Sequence, residues 1–316
     1  MRQFDAGAVA TALPFARLVP ALRDAFAAPA NVPPRHVHSI AQAGQAQGTV
    51  LIMPAWSDAG FLGIKTINIF PGNSRRGLPG LHATYMLYDA ATGVPLASLD
   101  GNEITARRTA AAAALGASFL ARADARRLLV LGTGRVARLL PQAFASVRPI
   151  GPVQVWNHRP EGAQALAAEW RALGIDAQAA PDLESAVRQA DIVSCATLSE
   201  VPLVRGDWLA PGSHLDLIGS FTPAMREAAP DCFTPPARVY VDTDEAPGKA
   251  GDLLDALAAG TLRPDGVQAT LAQLCNGERT AGPAGAGVGR TVFKAVGSAL
   301  EDLAAAMLVW SQHRDR

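Results

Sequence analysis

The sequence has few cysteines and no surplus of either charge. Its 316 residues include three cysteines, and 28 lysines and arginines balance 28 aspartates and glutamates. Three scattered thiols are too few for a disulfide framework or a zinc site, so we expect no metal site and a reducing compartment. A formal net charge of zero provides no electrostatic footprint for nucleic acid or for an anionic membrane surface. We therefore expect neither nucleic acid nor a membrane as a partner.

Long apolar runs are lacking too. The longest one without a charge, Thr109 to Ala121, is shorter than the roughly 20 residues that a membrane-spanning helix needs. The amino-terminal segment does not match a secretory signal, because Asp5 interrupts it early and Arg17 follows soon after. We expect a soluble, cytoplasmic protein. Its length favours two domains, since single cores rarely grow beyond roughly 250–300 residues.

Hydrophobic residues, in contrast, make up 49% of the chain, which is ample for a large core. In the first third of the chain, the spacing of apolar residues predicts helices and short strands in mixed order. Periodicity alone does not assign a fold to this region. The predicted helices are Leu13–Ala27 and Ile104–Ala121, and the predicted strands are Thr49–Met53, Phe61–Phe70, Leu81–Tyr88 and Pro95–Leu99.

After Arg122 the pattern changes to short apolar strands that alternate with helices. Such alternation predicts a doubly wound α/β domain, in which helices cover both faces of a parallel sheet. A glycine-rich stretch, Ala281–Gly289, is interpreted as a linker, and a long apolar helix is predicted over Thr291–Trp310. The predicted strands are Arg127–Leu131, Val153–Trp156, Asp191–Ala196, His214–Ile218 and Arg238–Val241, with helices that include Glu161–Leu173 and Asp182–Gln189.

A glycine-rich turn follows the first of these strands and opens the next helix. In such a turn the first glycine permits a tight bend, and the second lets the backbone approach a pyrophosphate. A small residue at its end lets the helix pack closely on the sheet. Because further strand–helix units follow, the motif predicts a dinucleotide site rather than an ordinary turn with incidental glycines. Its sequence is Gly132-Thr133-Gly134-Arg135-Val136-Ala137.

The end of the second strand indicates which dinucleotide binds. A carboxylate there would hold the ribose hydroxyls of NAD, but the sequence reads Asn157-His158-Arg159. Arg159 could pair with the 2′-phosphate of NADP, and Asn157 or His158 could donate hydrogen bonds. We therefore predict NADPH, with NADH as the alternative. Thr197 follows the carboxyl end of a later strand, where nicotinamide cofactors bind, and is a further predicted contact.

Ordered motifs along the chain closely resemble the ornithine cyclodeaminase/mu-crystallin family over nearly the whole length. The resemblance implies a Rossmann-type NAD(P)-binding domain over residues 122–291. It also implies an α+β substrate-binding and dimerisation domain, formed by residues 1–121 and 292–316, and hence a homodimer. Besides the glycine-rich turn, the motifs are Lys65-Thr-Ile-Asn-Ile-Phe-Pro-Gly-Asn73, Arg76-Gly-Leu-Pro79, Tyr88-Asp-Ala-Ala-Thr-Gly-Val-Pro-Leu96, Thr105-Ala-Arg-Arg-Thr-Ala-Ala111, Thr291-Val-Phe-Lys294 and Glu301-Asp302.

The resemblance implies that the substrate is a small α-amino, α-keto or α-imino acid whose carboxylate is held by Lys65, Arg108 and Arg35. Convergent cations with a bidentate guanidinium would fix the orientation of that carboxylate before hydride transfer. Lys65 is thus a catalytic candidate, and we add His82 as a candidate proton donor. Either arginine could instead be an ordinary surface charge, and His82 an ordinary strand residue. The remaining predicted cofactor contacts are Thr109 and Val292.

Two departures from the cyclodeaminase pattern indicate which reaction is favoured. Where cyclodeaminases carry an aspartate for proton transfer, this chain has Phe221, which cannot move a proton. The stretch before Met53-Pro54 is wholly apolar, where cyclodeaminases tend to carry a glutamate for the distal ammonium. Both departures disfavour ornithine deamination. We predict NADPH-dependent reduction of a cyclic imine, Δ1-pyrroline-2-carboxylate or Δ1-piperideine-2-carboxylate, to L-proline or L-pipecolate.

Other functions remain open within the same family. An amino-acid dehydrogenase of the alanine dehydrogenase kind would act on a 2-oxo acid and an amine, and an ornithine cyclodeaminase would consume no cofactor overall. A protein like mu-crystallin could bind NADPH and a ligand without any turnover. The intact glycine-rich turn and the intact set of carboxylate-binding cations favour an enzyme over a binding protein.

Overall fold

The computed structural model describes residues 1–42, 45–281 and 289–313. The chain forms two compact units: unit 1 comprises residues 1–108 and 298–316, and unit 2 comprises residues 109–297. The first boundary, after residue 108, falls inside a helix, and the second, after residue 297, follows a strand. We predicted the boundaries after Ala121 and before Val292. Most of the predicted linker, Ala281–Gly289, lies outside the described residues.

Unit 1 contains a seven-stranded, mostly antiparallel sheet. The spatial order is β1-β7-β6-β5-β4-β2, and β3 also pairs with β4. The first strand runs parallel to β7, and the other pairings are antiparallel. The strands are β1 (Arg2–Phe4), β2 (Ala30–Asn31), β3 (His36–Gln42), β4 (Gln45–Ser57), β5 (Phe61–Ile69), β6 (Leu81–Asp89) and β7 (Pro95–Asp100).

Helices cover one face of this sheet, and the alternation of side chains follows from that. Successive residues of a strand point to opposite faces, so alternate residues in the middle of these strands are buried: 51, 53 and 55 in β4, 63, 65 and 67 in β5, and 83, 85 and 87 in β6. On β5 the buried set includes Lys65, a charged residue among apolar ones. The helices in this part of the chain are α1 (Ala6–Ala12), α2 (Phe15–Ala27) and α3 (Gly101–Leu120).

Unit 2 is built on an eight-stranded sheet in which every pairing is parallel. The spatial order β10-β9-β8-β11-β12-β15-β13-β14 reverses direction between β8 and β11, as in doubly wound nucleotide-binding domains. The predicted Rossmann-type fold class is confirmed. The strands are β8 (Leu128–Leu131), β9 (Val153–Trp156), β10 (Ala177–Ala179), β11 (Ile192–Cys195), β12 (His214–Leu217), β13 (Arg238–Val241), β14 (Val267–Thr270) and β15 (Thr291–Lys294).

The final part of the chain corrects one prediction. We predicted a helix over Thr291–Trp310, but Thr291–Lys294 forms β15, which pairs with β12 and β13. A positive φ at Gly297 and a capping box at Ser298 then separate this strand from the last helix. The helices are α4 (Arg135–Ala145), α5 (Pro160–Ala172), α6 (Leu183–Gln189), α7 (Ala246–Lys249), α8 (Gly251–Ala258), α9 (Leu271–Cys275) and α10 (Ala299–Ser311).

Neither a membrane helix nor a metal cluster occurs in the described parts of the chain. No helix there is long and apolar enough to cross a membrane. No group of three or more His, Cys, Asp or Glu side chains there could hold a metal ion. Cys195 and Cys232 are buried free thiols.

Candidate functional site

The glycine-rich turn joins β8 to α4 at the carboxyl edge of the parallel sheet. Gly132 has a φ of +104°, which side chains rarely permit, and a Cβ there would come within 2.6 Å of the Ala196 carbonyl oxygen. Gly134 caps α4 without a side-chain hydrogen bond, and a Cβ on Gly134 would meet nothing within 4 Å. The amino end of α4 therefore leaves backbone N–H groups and space for a pyrophosphate. This turn fits a nicotinamide dinucleotide.

The other residues of the turn divide into packing and exposed positions. Ala137 is fully buried, as a small residue that packs the helix on the sheet should be. Thr133 and Val136 are half-buried, and Arg135 is exposed at the first position of α4. Only Arg135 in this turn therefore presents a charged side chain toward solvent.

The predicted ribose-binding residues lie at the same edge, after β9. Asn157 Nδ2 donates a hydrogen bond to the Arg159 carbonyl oxygen at 3.3 Å, which shapes the turn into α5. His158 and Arg159 are exposed. Within the residues that the structure describes, no carboxylate forms an ion pair with Arg159. The turn therefore offers a positive charge where an NAD-specific site would carry a negative one.

Thr197 and Val292, both predicted cofactor contacts, lie in different surroundings. Thr197 follows β11 at the carboxyl edge, and a Cβ on Gly132 would lie 3.3 Å from the Thr197 Cγ2 atom. Val292, however, is fully buried in the hydrophobic core and pairs with Leu215 of β12. It lies in the first half of β15, away from the carboxyl end of that strand. Thr109 is a half-buried residue of α3.

A buried polar network occupies the carboxyl edge of unit 2, and the sequence motifs did not reveal it. The Glu227 carboxylate accepts hydrogen bonds from Thr197 N (2.6 Å), Thr197 Oγ1 (2.8 Å), Gly219 N (2.9 Å) and Ser220 N (3.2 Å). Asp252 Oδ1 accepts from Glu227 N at 2.6 Å and from Ala228 N at 3.0 Å. Lys294 Nζ lies 3.1 Å from Asp252 Oδ2 and donates to Ser220 Oγ at 2.5 Å. Ser220 Oγ also donates to Asp252.

Carboxyl groups outnumber cations in this network, and their pKa values are shifted. Burial raises the pKa of Glu227 to about 7, although Lys294 acts in the opposite direction. Burial likewise raises the pKa of Asp216, which lies on β12, to about 7. The pKa of Asp252 is lowered instead, because Lys294 and several hydrogen bonds outweigh its burial. Two buried carboxyl groups of unit 2, Glu227 and Asp216, therefore titrate close to neutral pH.

A second buried cluster lies in unit 1 and contains two of the predicted carboxylate-binding residues. Lys65 Nζ lies 2.6 Å from Asp302 Oδ2, and Arg108 contacts Asp302 Oδ1 through Nε at 3.1 Å. Arg108 Nη1 donates to Glu301 Oε2 at 2.7 Å. Glu301 and Asp302 therefore fix the ammonium and guanidinium groups side by side. We missed the two acids as partners, although charges inside an otherwise apolar helix were a signal.

The buried ammonium of Lys65 is poised to lose a proton. Burial, the largest effect, lowers the pKa of Lys65 from 10.5 to about 8, although Asp302 partly opposes that shift. Arg108 lowers the pKa further by like-charge repulsion. Lys65 is therefore a stronger acid than an ordinary lysine.

The structure places His82 on the opposite face of the sheet from this cluster. In the register of β5 and β6, Lys65 pairs with Tyr85 and Asn68 pairs with His82. His82 is three residues from Tyr85, so it points to the opposite face of the sheet, where it is exposed. Arg35 is half-buried just before β3. Lys65 and Arg108 are thus brought together, but His82 does not join them.

The protein is an NAD(P)H-dependent oxidoreductase by its fold and site. Its parallel sheet reverses strand order, carries a dinucleotide turn at the carboxyl edge, and is accompanied by buried ionisable groups. The sequence comparison is consistent with that class and narrows it. Residues 5–316 match the model of the ornithine cyclodeaminase/mu-crystallin family, and the chain belongs to that family.

Named relatives and solved structures cover most of the chain. A Δ1-pyrroline-2-carboxylate reductase of Paracoccus denitrificans is 39% identical over 249 residues, 76% of this chain and 78% of that protein. The Δ1-pyrroline-2-carboxylate reductase of Thermococcus litoralis, solved with NADH and L-proline, superimposes with a TM-score of 0.91 at 27% identity, covering 100% of this chain and 98% of that one. An archaeal alanine dehydrogenase dimer with bound NAD superimposes with a TM-score of 0.90 at 27% identity, covering 100% of this chain and 96% of that one.

Proposed function

We propose that this chain reduces a cyclic imino acid, Δ1-pyrroline-2-carboxylate or Δ1-piperideine-2-carboxylate, to the corresponding L-amino acid, with NADPH as the preferred cofactor. The observation that carries the proposal is the buried cluster of Lys65, Arg108, Glu301 and Asp302. The reductases of Paracoccus and Thermococcus support it, because their names place such an imine among the substrates of related chains.

The charge balance of this cluster suits a protonated imino acid. Lys65 and Arg108 attract the substrate carboxylate, while Glu301 and Asp302 cancel the two positive charges. Proton transfer from Lys65 to the imine nitrogen gives a substrate with one negative and one positive charge and leaves the total charge of the site unchanged. Without these two acids, the cations would oppose protonation of the imine. The two acids remove that objection, and the protonated imine is the better hydride acceptor.

Lys65 is the proton donor in this proposal. With a pKa of about 8, its ammonium can protonate the imine nitrogen, which lies next to the carboxylate that Lys65 holds. A bound nicotinamide cofactor would supply the hydride for this reduction. Lys65 loses one proton in each turnover and regains it from solvent. His82 has no part in this step, because it lies on the opposite face of the sheet from Lys65.

The preference for NADPH rests on the turn after β9. Arg159 is exposed at the carboxyl edge, and Asn157 stands where an acidic residue would hold the ribose of NAD. A guanidinium there favours the 2′-phosphate by a charge-assisted hydrogen bond. The glycine-rich turn, with Thr197 beside it, holds the pyrophosphate and nicotinamide ends.

A homodimer formed through unit 1 belongs to the same proposal. The face of the sheet that carries His82 also carries Ile52, Ile64 and Met86, all half-buried apolar side chains in the single chain. Such a face is stabilised by burial against a second copy. The dimeric alanine dehydrogenase of the same fold supports this assembly.

The experiment that tests the function is cofactor oxidation, followed by absorbance, with each cyclic imine and with NADPH or NADH. We expect rapid turnover with at least one imine and a preference for NADPH. Turnover only with a 2-oxo acid and an amine would identify an amino-acid dehydrogenase instead. Ammonia release from ornithine without net cofactor use would identify a cyclodeaminase. Cofactor binding without any turnover would identify a binding protein.

A further inference from the structure

We propose that Glu227 is a positioning residue of the nicotinamide-binding edge, and that its buried carboxylate holds the loops after β11 and β12 in the conformation that binds the cofactor. The inference rests on the nicotinamide binding that the proposed function requires, but not on the identity of the substrate.

The first observation is the number and origin of the donors around this carboxylate. Glu227 Oε1 accepts from the N–H and hydroxyl of Thr197, and Oε2 accepts from the N–H groups of Gly219 and Ser220. Thr197 follows β11, and Gly219 and Ser220 follow β12. One side chain therefore ties together the ends of two adjacent parallel strands. The side chain is fully buried, so water cannot take its place.

The second observation is how closely these loops pack. A Cβ on Gly219 would overlap the Thr197 backbone and the Glu227 carboxylate. Thr197 in turn packs against Gly132 of the dinucleotide turn. A shift of Glu227 would therefore displace Thr197 and, through it, the turn that receives the cofactor. The order of strands reverses at this point, which is where doubly wound domains bind their ligands.

The third observation is what holds Glu227 itself. Its backbone N–H donates to Asp252 at 2.6 Å, and Asp252 pairs with the buried Lys294 at 3.1 Å. Lys294 lies at the carboxyl end of β15, so a third strand supports the arrangement. Glu227 therefore cannot turn away without breaking buried hydrogen bonds.

The protonation state of Glu227 should decide whether the loops are held. Only the ionised carboxylate accepts all four hydrogen bonds, because a protonated one must use an oxygen as a donor. The ionisable groups that face it are Lys294, Asp252, Asp216 and the Cys195 thiol. Burial raises the pKa of Glu227 to about 7, so its protonation falls within a measurable range. Cofactor affinity should therefore fall as the pH is lowered through about 7.

The test is a fluorescence titration of the full chain with NADPH and with NADH, at several pH values, for wild type and Glu227→Gln. The amide turns two acceptor positions into donors that face N–H groups, so we expect cofactor Kd to rise about tenfold or more. We also expect the wild-type loss of affinity at low pH to disappear in the variant. The matched control is Asp231→Asn, whose carboxylate accepts from Gly206 N at 3.0 Å near the amino end of the sheet.

The outcomes separate this inference from the proposed function. If wild type binds and Glu227→Gln binds equally well, or if Asp231→Asn loses as much affinity, Glu227 is merely structural and the inference fails. If wild type binds neither cofactor, both the inference and the proposed function fail. Should Glu227→Gln not fold, Glu227→Asp keeps the charge but shortens the side chain, so it should bind the cofactor severalfold more weakly than wild type. Wild-type affinity in Glu227→Asp would overturn the inference.

Discussion

Each unit of this protein buries a lysine beside carboxylates, but the two clusters balance their charges differently. In unit 1, Lys65 and Arg108 face Glu301 and Asp302, two cations against two anions. In unit 2, Lys294 faces Asp252 directly, and Glu227 lies close by. Burial lowers the pKa of Lys65 in the first cluster to about 8 and raises the pKa of Glu227 in the second to about 7.

The difference teaches how one chain can provide two kinds of site. A neutral cluster can accept a substrate that carries both charges, while a rigid, hydrogen-bonded carboxylate can shape backbone around a cofactor. Variants that change one cluster should therefore affect substrate handling or cofactor binding, but not both.

The largest expected effect is on stability, and it should differ between the two buried lysines. Lys294→Met should lower the free energy of unfolding by about 3–5 kcal/mol, because it leaves buried acids without their cation. Lys65→Met should cost less, since Asp302 keeps its contact with Arg108 at 3.1 Å. Urea unfolding of both variants measures the difference. Equal losses would show that the two clusters do not differ as their charges suggest.

The second prediction concerns substrate binding by unit 1. Arg108→Ala should raise KM for the imine about 10–100-fold, because a charge-assisted hydrogen bond is worth about 1.5–3 kcal/mol. The Kd for NADPH should stay the same. Arg107→Ala is the matched control, since Arg107 is the neighbouring residue of α3 and pairs with Glu103 at 2.6 Å. An unchanged KM in Arg108→Ala would remove Arg108 from the substrate site.

The third prediction is a pH dependence that originates in unit 1. Because the pKa of Lys65 is lowered from 10.5 to about 8, kcat/KM should fall above about pH 8 as the ammonium deprotonates. Lys65→Arg should lower kcat/KM throughout this range, because a guanidinium keeps its proton and cannot protonate the imine. Between these two values the unfolded chain binds more protons than the folded one, so the contribution of Lys65 to stability rises with pH. A fall that stays at the same pH in Lys65→Arg would assign it to another group.

The smallest expected effect concerns cofactor choice in unit 2. Arg159→Ser should weaken NADPH binding about tenfold, as loss of a single charge-assisted hydrogen bond would. NADH binding and the KM for the imine should hardly change. Arg188→Ser is a suitable control, because Arg188 is exposed on α6 and pairs with Glu184 at 2.6 Å. Equal loss of affinity for both cofactors would contradict a role for Arg159 at the 2′-phosphate.

Local patterns were sufficient for much of unit 2. Apolar runs such as Leu128–Leu131 predicted buried parallel strands with little error, because such strands are apolar on both faces. The sequence from Gly132 to Ala137 also predicted its own strand–turn–helix setting, since each of its residues has a local steric role. The same reasoning mistook Thr291–Lys294 for helix, because an apolar run of that length suits either structure.

By itself, the sequence determined the fold class, the dinucleotide turn and the residues Lys65 and Arg108, since each depends on local pattern or on recognisable motifs. Only the tertiary structure decided the partners of these residues: Arg108 and Glu301 are 193 positions apart in the chain. It also decided that Val292 is core and that His82 points away from Lys65, because strand register is set by long-range pairing. Glu227 owes its four donors to the same cause: three are backbone N–H groups and one is the Thr197 hydroxyl, and they meet it only when β11 and β12 lie side by side.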